Sequence, residues 1–388
     1  EWIPPSSRGL KEPVWGEPED QGPLLTSILK RPNICSKNWI QRQYDHEVQG
    51  GSAIKPLVGK DHDMVSDAAV VRPVLGSLRG IAITQAISPF YSLIDTYHMT
   101  AVTIDEAVRR LVAVGGDPAR IGGVDNFCWP TIIYDPVKNP DGKYKAAQLV
   151  RACWALRDYT LAFEIPLLSG KDSMYTDGEV KKSFGMTQKI SGLPTLQFTA
   201  TTVLEDVRKC VTMEVKVAGD LVYIVGITGD ELGASEYYQM MGWIGLNVPK
   251  VDAEKVIPLY HGLYRAIKDG LVSSCHAVGR GGLGVHLALS AMGGNLGMDI
   301  DLRSVPAKEK LSNTRLLYSE SAGRFIVTID PKKREAFEGA MHGLEYACVG
   351  KVTDTGKLQV SGMDANIIIK ERIGDLKDAW KEPFGGLI

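Results

Sequence analysis

The segment "LLSGKDSMYTDG" (167–178) places Gly170, Lys171, Asp172 and Ser173 directly after a short apolar run. Gly-Lys-Ser/Thr ends a phosphate-binding P-loop, but that motif needs a second glycine five positions earlier, where this chain has Ile165. An aspartate also follows the lysine, where the Ser or Thr that binds Mg²⁺ would stand. The segment is therefore not a P-loop.

The polar residues of this segment are predicted to lie at the C-terminal end of a strand. That edge is where open α/β sheets bind ligands, so Lys171 and Ser173 are candidates for ligand contacts. The alternative is an exposed Lys171–Asp172 pair, which contributes little to stability.

A second polar segment, "SKNWIQRQYDHEVQGGSAIKP" (36–56), contains the turn Gly50-Gly51-Ser52. Consecutive backbone N–H groups in such a turn can cradle a phosphate. The nearby cations that could add charge are Lys37, Arg42 and Lys55. The alternative is a polar surface turn. His46 is a candidate general acid or base, or a hydrogen-bonded surface histidine.

The segment "SCHAVGRGGLGVHLAL" (274–289) has a strand-like start, glycines at 279, 281 and 282, and then a helical pattern. A glycine loop that opens a helix suits anion binding, although the spacing differs from the dinucleotide pattern G-x-G-x-x-G. A tight structural turn is the alternative. Arg280 opposes a divalent cation and permits an anion.

Three acidic residues, Asp230, Glu231 and Glu236, lie in "GDELGASEYY" (229–238). They could stand near a metal, or they could stabilise the dipole of a first helical turn.

The bulk composition excludes several classes of protein. Hydrophobic residues make up 44% and charged residues 23% of the 388, which is ordinary for a globular protein of two or three domains. A net charge of −2 gives no reason to expect nucleic acid or an anionic membrane as a partner. No apolar run approaches the roughly 18 residues of a membrane span.

The termini and the cysteines indicate a cytoplasmic protein. The first residues lack the apolar stretch of a signal peptide, and the chain does not begin with Met, so we expect a processed chain, an engineered fragment or part of a longer protein. The cysteines are dispersed without a C-x-x-C pair, and we expect reduced, mostly buried thiols. They are Cys35, Cys128, Cys153, Cys210, Cys275 and Cys348.

The periodicity of the sequence predicts two layered domains. Residues 1–24 read as a linker or surface arm, 25–205 as a first domain and 206–388 as a second. Strands are predicted at "GIAITQAI", "IPLLSG" and "TLQFTATTVL", and helices at "TIDEAVRRLVAVGG" and "YKAAQLVRACWALRDYTLAF". Thr103 with Glu106 is predicted to cap the first of these helices. Strands alternating with helices indicate an α+β or α/β fold.

Taken in order, the motifs resemble one family. They are "RPNICSKNWIQRQYDHEVQGGSAIKP", "VSDAAVVRP", "VGGDPARIGGVDNFCWP", "LLSGKDSMYTDG", "GDLVYIVGITGDELGASEYY", "SCHAVGRGGLGVHLAL" and "LYSESAGRF". From about residue 25 to the C-terminus, the chain resembles the second half of phosphoribosylformylglycinamidine synthase, also called FGAR amidotransferase.

The resemblance implies an AIR synthetase-like fold: a ferredoxin-like A domain that forms a barrel with a partner half, followed by an α/β B domain. It also implies an ATP- and Mg²⁺-dependent ligase of purine biosynthesis. In that reaction ATP activates the formyl amide oxygen of FGAR, and ammonia from a glutaminase displaces phosphate. The implied partners are the N-terminal half of the synthase, a glutaminase and FGAR.

The chain departs from the family where the family binds metal. Glu106 stands where a metal-binding acid is expected, but Arg110 replaces an Asp or Asn. Related halves read His-Asp-x-Ser-Asp-Gly-Gly where this chain has His276, then Ala277 and Arg280 in place of the two acids. The arginines oppose a divalent cation. The hypothesis is that this half has lost its own Mg–ATP catalysis and completes a site built mainly by the N-terminal half.

Several positions still carry a family role. Those matching phosphate, nucleotide or substrate contacts are Gly50, Gly51, Ser52, Gly170, Lys171, Ser173 and Asp125. Asp67 matches an acid that can bind Mg²⁺, whereas Lys171 replaces an asparagine and suits an anion better. The alternatives are a scaffolding half with a vestigial or structural nucleotide site, and a stand-alone homodimeric synthetase. Without its partner, the exposed apolar face of an A domain should make the isolated chain self-associate.

Overall fold

The computed structural model describes residues 1–44, 46–182 and 186–387. Its α-helices are α1 Gly22–Leu29, α2 Asn38–Arg42, α3 Thr96–Ala113, α4 Gly142–Ala162, α5 Glu236–Met240, α6 Ala253–Lys268, α7 Gly282–Gly294, α8 Asn313–Tyr318, α9 Arg334–Ala340 and α10 Ile373–Gly385.

The strands form two larger sheets and two small ribbons. They are β1 Ser52–Ile54, β2 Leu57–Val58, β3 Met64–Val65, β4 Ala69–Val71, β5 Gly80–Ile87, β6 Ile121–Trp129, β7 Leu167–Met174, β8 Asp177–Lys181, β9 Thr187–Ser191, β10 Thr195–Leu204, β11 Leu221–Val225, β12 Ser274–Ala277, β13 Gly297–Asp301, β14 Phe325–Ile329, β15 Tyr346–Thr353, β16 Lys357–Ser361 and β17 Ile367–Arg372.

The first sheet has six strands in the order β1-β4-β5-β10-β6-β7. Neighbouring strands run antiparallel, except that β6 and β7 are parallel. The predicted strands "GIAITQAI" and "TLQFTATTVL" are confirmed as β5 and β10, which pair along their whole lengths from Gly80 opposite Leu204 to Ile87 opposite Gln197. Helices α3 and α4 pack together, and α3 packs on β5 and β10.

One face of this sheet is partly exposed and carries three isoleucines of β5, with Gln85 among them. Burial alternates along β5, where Ala82 and Ala86 are buried while Ile81, Ile83 and Ile87 are 37%, 45% and 47% exposed. A strand with one face covered by helix and the other uncovered shows this period of two. The exposed isoleucines are the surface for which a partner half is expected.

Helix α3 starts earlier than the sequence pattern predicted. The predicted N-cap, Thr103, lies mid-helix, where its hydroxyl donates to the Met99 carbonyl. The helix instead begins at Thr96, and Asp95 caps it by accepting from the Tyr97 N–H. The first residues of the helix are mostly buried and carry few charges, so they show no alternation of apolar and polar positions. The predicted start was therefore wrong by about two helical turns.

The strand that carries the Gly-Lys-Asp-Ser motif is longer than predicted. β7 continues to Met174, so Lys171 and Ser173 lie within the strand and not beyond its end. The parallel pairing with β6 explains the extension, because Asn126 lies opposite Lys171 and Cys128 opposite Ser173.

The second sheet has seven strands in the order β12-β14-β11-β15-β13-β16-β17, with β13 and β16 the parallel pair. Its inner strands β11 and β14 are almost wholly buried. The helix pair α6 and α9 packs together, as do α7, α8 and α10. The two sheets fall within residues 52–204 and 221–372, and the exact domain limits of 25–205 and 206–388 stay a prediction.

The N-terminal residues pack along the surface of both halves. Trp2 stacks on Tyr144 with ring centroids 5.5 Å apart, and Arg8 donates to the Leu93 and Ile94 carbonyls. Further along, Glu12 accepts from the N–H of Asn247 and from Tyr238, and Trp15 packs edge-on against the same tyrosine.

Two bulk expectations can be compared with the described residues. Among them, no helix is both long and apolar enough to cross a bilayer. All six cysteines are free thiols, but only Cys35 and Cys275 are buried, and Cys153 is exposed, so the expectation that most are buried was too strong.

Candidate functional site

A cleft of about 270 Å³ lies between the first sheet and the second half of the chain. Its walls come from the segment 33–37, from β5, α3 and β12, from the glycine loop 279–282 and from α7. The charged and histidine side chains in its lining are Lys37, Asp67, Glu106, Arg109, Arg110, His276, Arg280 and His286. The fold therefore brings together Glu106, Arg110, Ala277 and Arg280, which the sequence analysis singled out.

A hydrogen-bond chain through two histidines crosses the floor of the cleft. The Gly279 N–H donates to His286 Nε2 at 3.0 Å, and the same nitrogen lies 3.1 Å from the Arg280 carbonyl oxygen. His286 Nδ1 and His276 Nε2 are 2.7 Å apart, and His276 Nδ1 lies 2.8 Å from Asp67 Oδ2. With His286 Nε2 as the acceptor, His286 donates to His276, which donates to Asp67; with Nε2 as the donor to the Arg280 carbonyl, the direction between the two histidines reverses. Burial and the neighbouring His276 hold the pKa of His286 well below its usual range.

Asp67 is therefore committed to protein donors. Besides His276, the N–H of Ala277 donates to its second oxygen at 3.3 Å. The carboxylate is 4% exposed. A metal ion could reach it only by displacing these contacts.

Glu106 and two arginines form the side of the cleft next to β5. Glu106 Oε1 is 3.8 Å from Arg110 Nε, one helical turn away on α3. Arg110 donates to the Gln85 carbonyl and Arg280 to the Ile87 carbonyl, each at 2.8 Å. These carbonyls belong to alternate residues of one strand, so both arginines are fixed on the same edge.

Two further carboxylates, Glu236 and Glu320, contact the glycine loop. Glu320 accepts from the N–H groups of Gly281 and Glu236 and from the Tyr91 hydroxyl. Burial raises the pKa of Glu320 to about 7. Glu236 is held by Arg31 and by Asn33, whose amide is 2.7 Å away.

A buried ion pair on α3 was not predicted from the sequence. Arg109 and Asp105 are both fully enclosed, 2.6 Å apart, and Tyr260 donates to the same carboxylate. Arg109 also donates to the Val278 carbonyl at the start of the glycine loop. The sequence feature that could have indicated this pair is the i, i+4 spacing of Asp105 and Arg109, but that spacing more often belongs to an exposed ion pair.

The cleft does not fit a divalent cation. Within the described ranges, no group of three or more His, Cys, Asp or Glu side chains is placed to hold a metal. Asp67 is engaged by His276, and Glu106 has Arg110 beside it. The acids of 229–238 are not grouped either, since Asp230 pairs with Arg315 and Glu231 with Lys308. The assignment of Asp67 and Glu106 to a metal stays a prediction.

The other predicted site residues lie outside this cleft, on opposite edges of the first sheet. Ser52 begins β1 at one edge, after Gly50, which has a φ of +65°, and Gly51, whose carbonyl accepts from the Arg72 N–H. The Gly-Lys-Asp-Ser motif is on β7 at the other edge. Five strand spacings separate them, roughly 24 Å along a flat sheet.

His46 lies near the first of these edges. Its Nδ1 is 3.2 Å from the Tyr44 carbonyl and its Nε2 is 3.9 Å from Glu47. It is not among the residues that line the cleft.

The predicted site residues on β6 and β7 are neighbours, but they lie on opposite faces of the sheet. Asp125 lies opposite Gly170, and a Cβ atom at that glycine would come within 2.7 Å of the Asp125 carboxylate. Burial, with Asp172 nearby, raises the pKa of Asp125. Lys171 and Ser173 point to the opposite face, where the lysine donates to the serine hydroxyl.

The comparisons with known proteins give the relationship. Residues 217–362 match the family described as AIR synthase related protein, C-terminal domain. Over 330 residues, 85% of this chain, the sequence is 33% identical to phosphoribosylformylglycinamidine synthase subunit PurL of Thermococcus sibiricus. It is 31% identical to the PurL of Alkaliphilus metalliredigens over 369 residues, 94% of the chain. The chain is a homologue of PurL.

The match covers part of those proteins. The chain spans 42% of the length of the first relative and 45% of the second, less than half in each case. The family relationship inferred from the motifs is confirmed.

Solved structures confirm the AIR synthetase-like fold. Thermotoga maritima PurL complexed with FGAR superposes with a TM-score of 0.69 at 18% identity, covering 93% of this chain and 54% of that one. The same protein complexed with ATP gives 0.62 at 17% identity, covering 92% and 52%.

Proposed function

We propose that this chain is the second-half module of a phosphoribosylformylglycinamidine synthase. The complete enzyme would convert FGAR, ATP and glutamine-derived ammonia into the amidine product, ADP and phosphate. The observation that carries the proposal is homology to PurL over 85% and 94% of the chain, confined to less than half of each relative.

The exposed face of the first sheet supports a partner half. Ile81, Ile83 and Ile87 lie on the outer face of β5 and each remains more than a third exposed. A contiguous apolar face on a folded protein marks a protein interface. In the proposed assembly, the N-terminal half of the synthase covers this face and closes the barrel.

The proposed role of this half is to complete an active site that is built mainly by the N-terminal half. The residues that would reach across the interface are those carried over from the family, namely Gly50, Gly51, Ser52, Gly170, Lys171, Ser173 and Asp125. Mg²⁺ would be held by the partner half, because the carboxylates of the cleft described above are committed to other contacts. A glutaminase would supply ammonia.

Reconstitution tests this proposal. The chain would be mixed with the remaining segment of Thermococcus sibiricus PurL and a glutaminase, and FGAR-dependent phosphate release from ATP would be measured. We expect release only when all components are present. The double variant Ile81→Lys/Ile83→Lys should abolish it, whereas Val137→Lys, at an 87% exposed position elsewhere, should not.

A scaffolding role is the second candidate, and one observation favours it: the absence, among the described residues, of a carboxylate group able to hold a metal. The two candidates separate in the same experiment. If sedimentation shows the complex forming while phosphate release equals that of the N-terminal segment alone, the module is a scaffold. If no complex forms, both candidates fail.

A further inference from the structure

The two arginines of the cleft are spaced like a clamp. Arg110 and Arg280 come from distant parts of the chain but donate to the carbonyls of Gln85 and Ile87. Alternate carbonyls along a strand are about 7 Å apart, which places the two guanidinium groups within reach of one small ligand. The strand β4 pairs with β5 only as far as Ile83, so this length of edge is left for the arginines.

A third cation faces the same space. Lys37 lines the cleft, and its ammonium donates to the carbonyls of Pro32 and Cys35. Burial lowers the pKa of Lys37, because desolvation penalises the charged ammonium, and Arg280 acts in the same direction.

Most carboxylates around the cleft are already hydrogen-bonded or ion-paired with other residues of the chain. Asp67 is taken by His276, and Glu236 by Arg31 and Asn33, with Arg280 Nε 3.9 Å away. Glu106 is the acid left facing the arginines. Lys37, Arg110 and Arg280 against the two lining carboxylates, Asp67 and Glu106, still leave these groups with a surplus of positive charge.

We propose that this cleft binds a phosphate-bearing small anion directly on Arg110, Arg280 and Lys37, without a divalent cation. Planar guanidinium groups bind phosphate oxygens in pairs, and three fixed cations supply the charge that a metal would otherwise bring. A divalent ion would meet repulsion from the same groups. At about 270 Å³ the cleft is at the small end of ligand pockets, so a diphosphate group fits and most of a bulky organic substituent stays outside.

The inference concerns this chain alone and goes beyond the proposed function, since it holds whether or not the chain completes a synthase. Its test is calorimetry of the 388-residue chain with pyrophosphate, ADP and sulfate, each in EDTA and again in excess Mg²⁺. We expect pyrophosphate and ADP to bind in EDTA, to bind no more tightly with Mg²⁺, and to outcompete sulfate.

Three variants locate the site. Arg110→Gln and Arg280→Gln should each weaken binding by roughly tenfold or more, as removing a charged hydrogen bond does. Glu106→Gln should strengthen it several-fold, because the opposing charge is gone. Arg303→Gln, an exposed arginine paired with Asp301 outside the cleft, is the matched control and should bind as the wild type does.

Several results would overturn the proposal. These are a requirement for Mg²⁺, equal affinity for sulfate and pyrophosphate, no binding by the wild type, or no effect of the arginine variants. The Glu106→Gln variant guards against misreading a folding defect, because a misfolded protein cannot gain affinity. Far-ultraviolet circular dichroism of each variant completes the control.

Discussion

His286 and Glu320 hold the glycine loop at two points, and both are titratable. His286 accepts from the Gly279 N–H and Glu320 from the Gly281 N–H. The loop that carries Arg280 is thus fixed by two groups whose protonation changes in opposite directions on folding. Burial lowers the pKa of His286 and raises that of Glu320 to about 7.

These shifts predict the pH dependence of stability. Below its usual pKa of 6.5, His286 binds a proton in the unfolded chain but not in the folded one, so stability falls as the pH falls. Glu320 keeps its proton in the folded chain from its usual 4.5 up to about 7, so stability falls as the pH rises through that window. Between 4.5 and 6.5 the two effects oppose each other.

Replacing one of the two groups should reveal the pH dependence that the other contributes. In Glu320→Gln the free energy of unfolding, measured by urea denaturation, should rise more steeply with pH across that window than in the wild type. His286→Gln should make it fall more steeply. Parallel pH profiles for all three proteins would contradict the assignment of either group.

The buried pair Asp105–Arg109 gives a second prediction at this scale. Arg109→Met leaves a buried carboxylate unpaired, which should cost about 3–5 kcal/mol of unfolding free energy. Arg303→Met, at an exposed pair, should change it by less than about 1 kcal/mol. Equal losses in urea denaturation would show that the burial of Arg109 has no energetic role.

At the scale of single elements, helix α7 depends on a glycine at its first residue. Gly282 has a φ of +74°, and a Cβ atom there would lie 2.7 Å from the Leu317 carbonyl oxygen. Gly282→Ala should therefore lower the unfolding free energy by about 2 kcal/mol or more, from backbone strain and the clash. Gly339→Ala is the matched control, since Gly339 lies within α9 with open space around it, and alanine should be neutral or stabilising there.

Some elements could be predicted from sequence and others could not, for physical reasons. β5 and β10 have β-branched runs bounded by glycine or polar residues, and their predicted limits match the structure. The start of α3 could not be read, because the Asp95 cap precedes residues buried on more than one side. β7 extends past the glycine because its pairing with β6 overrides local propensity.

The site was predicted in its parts and not in its assembly. Asp67, Glu106, Arg110 and Arg280 could be singled out from sequence, but only the fold shows that they line one cleft. His286 was missed, because a histidine in an apolar helix carries no signal until its partner, His276, is located. Gly50 and Gly170 were grouped by their family roles, and the sheet puts them at opposite edges.

At the scale of the whole molecule, the uncovered face of the first sheet should control association. The isolated chain is expected to self-associate through Ile81 and Ile83, since water contact with this face is unfavourable. Sedimentation velocity should show mass increasing with concentration, and Ile83→Lys should reduce it. The control is Val137→Lys. A clean monomer at every concentration would contradict the prediction.

The N-terminal arm links the two halves of the molecule. It is held on the first half by Trp2 and Arg8 and on the second by Glu12 and Trp15, while Lys11, between Arg8 and Glu12, is exposed. Two weak attachments on one short tether raise each other's effective concentration, so each keeps the other bound. A single cut beside Lys11, between Arg8 and Glu12, would therefore turn one bivalent attachment into separate, weaker contacts, and the relative motion of the two halves would become easier although no residue of the cleft had changed.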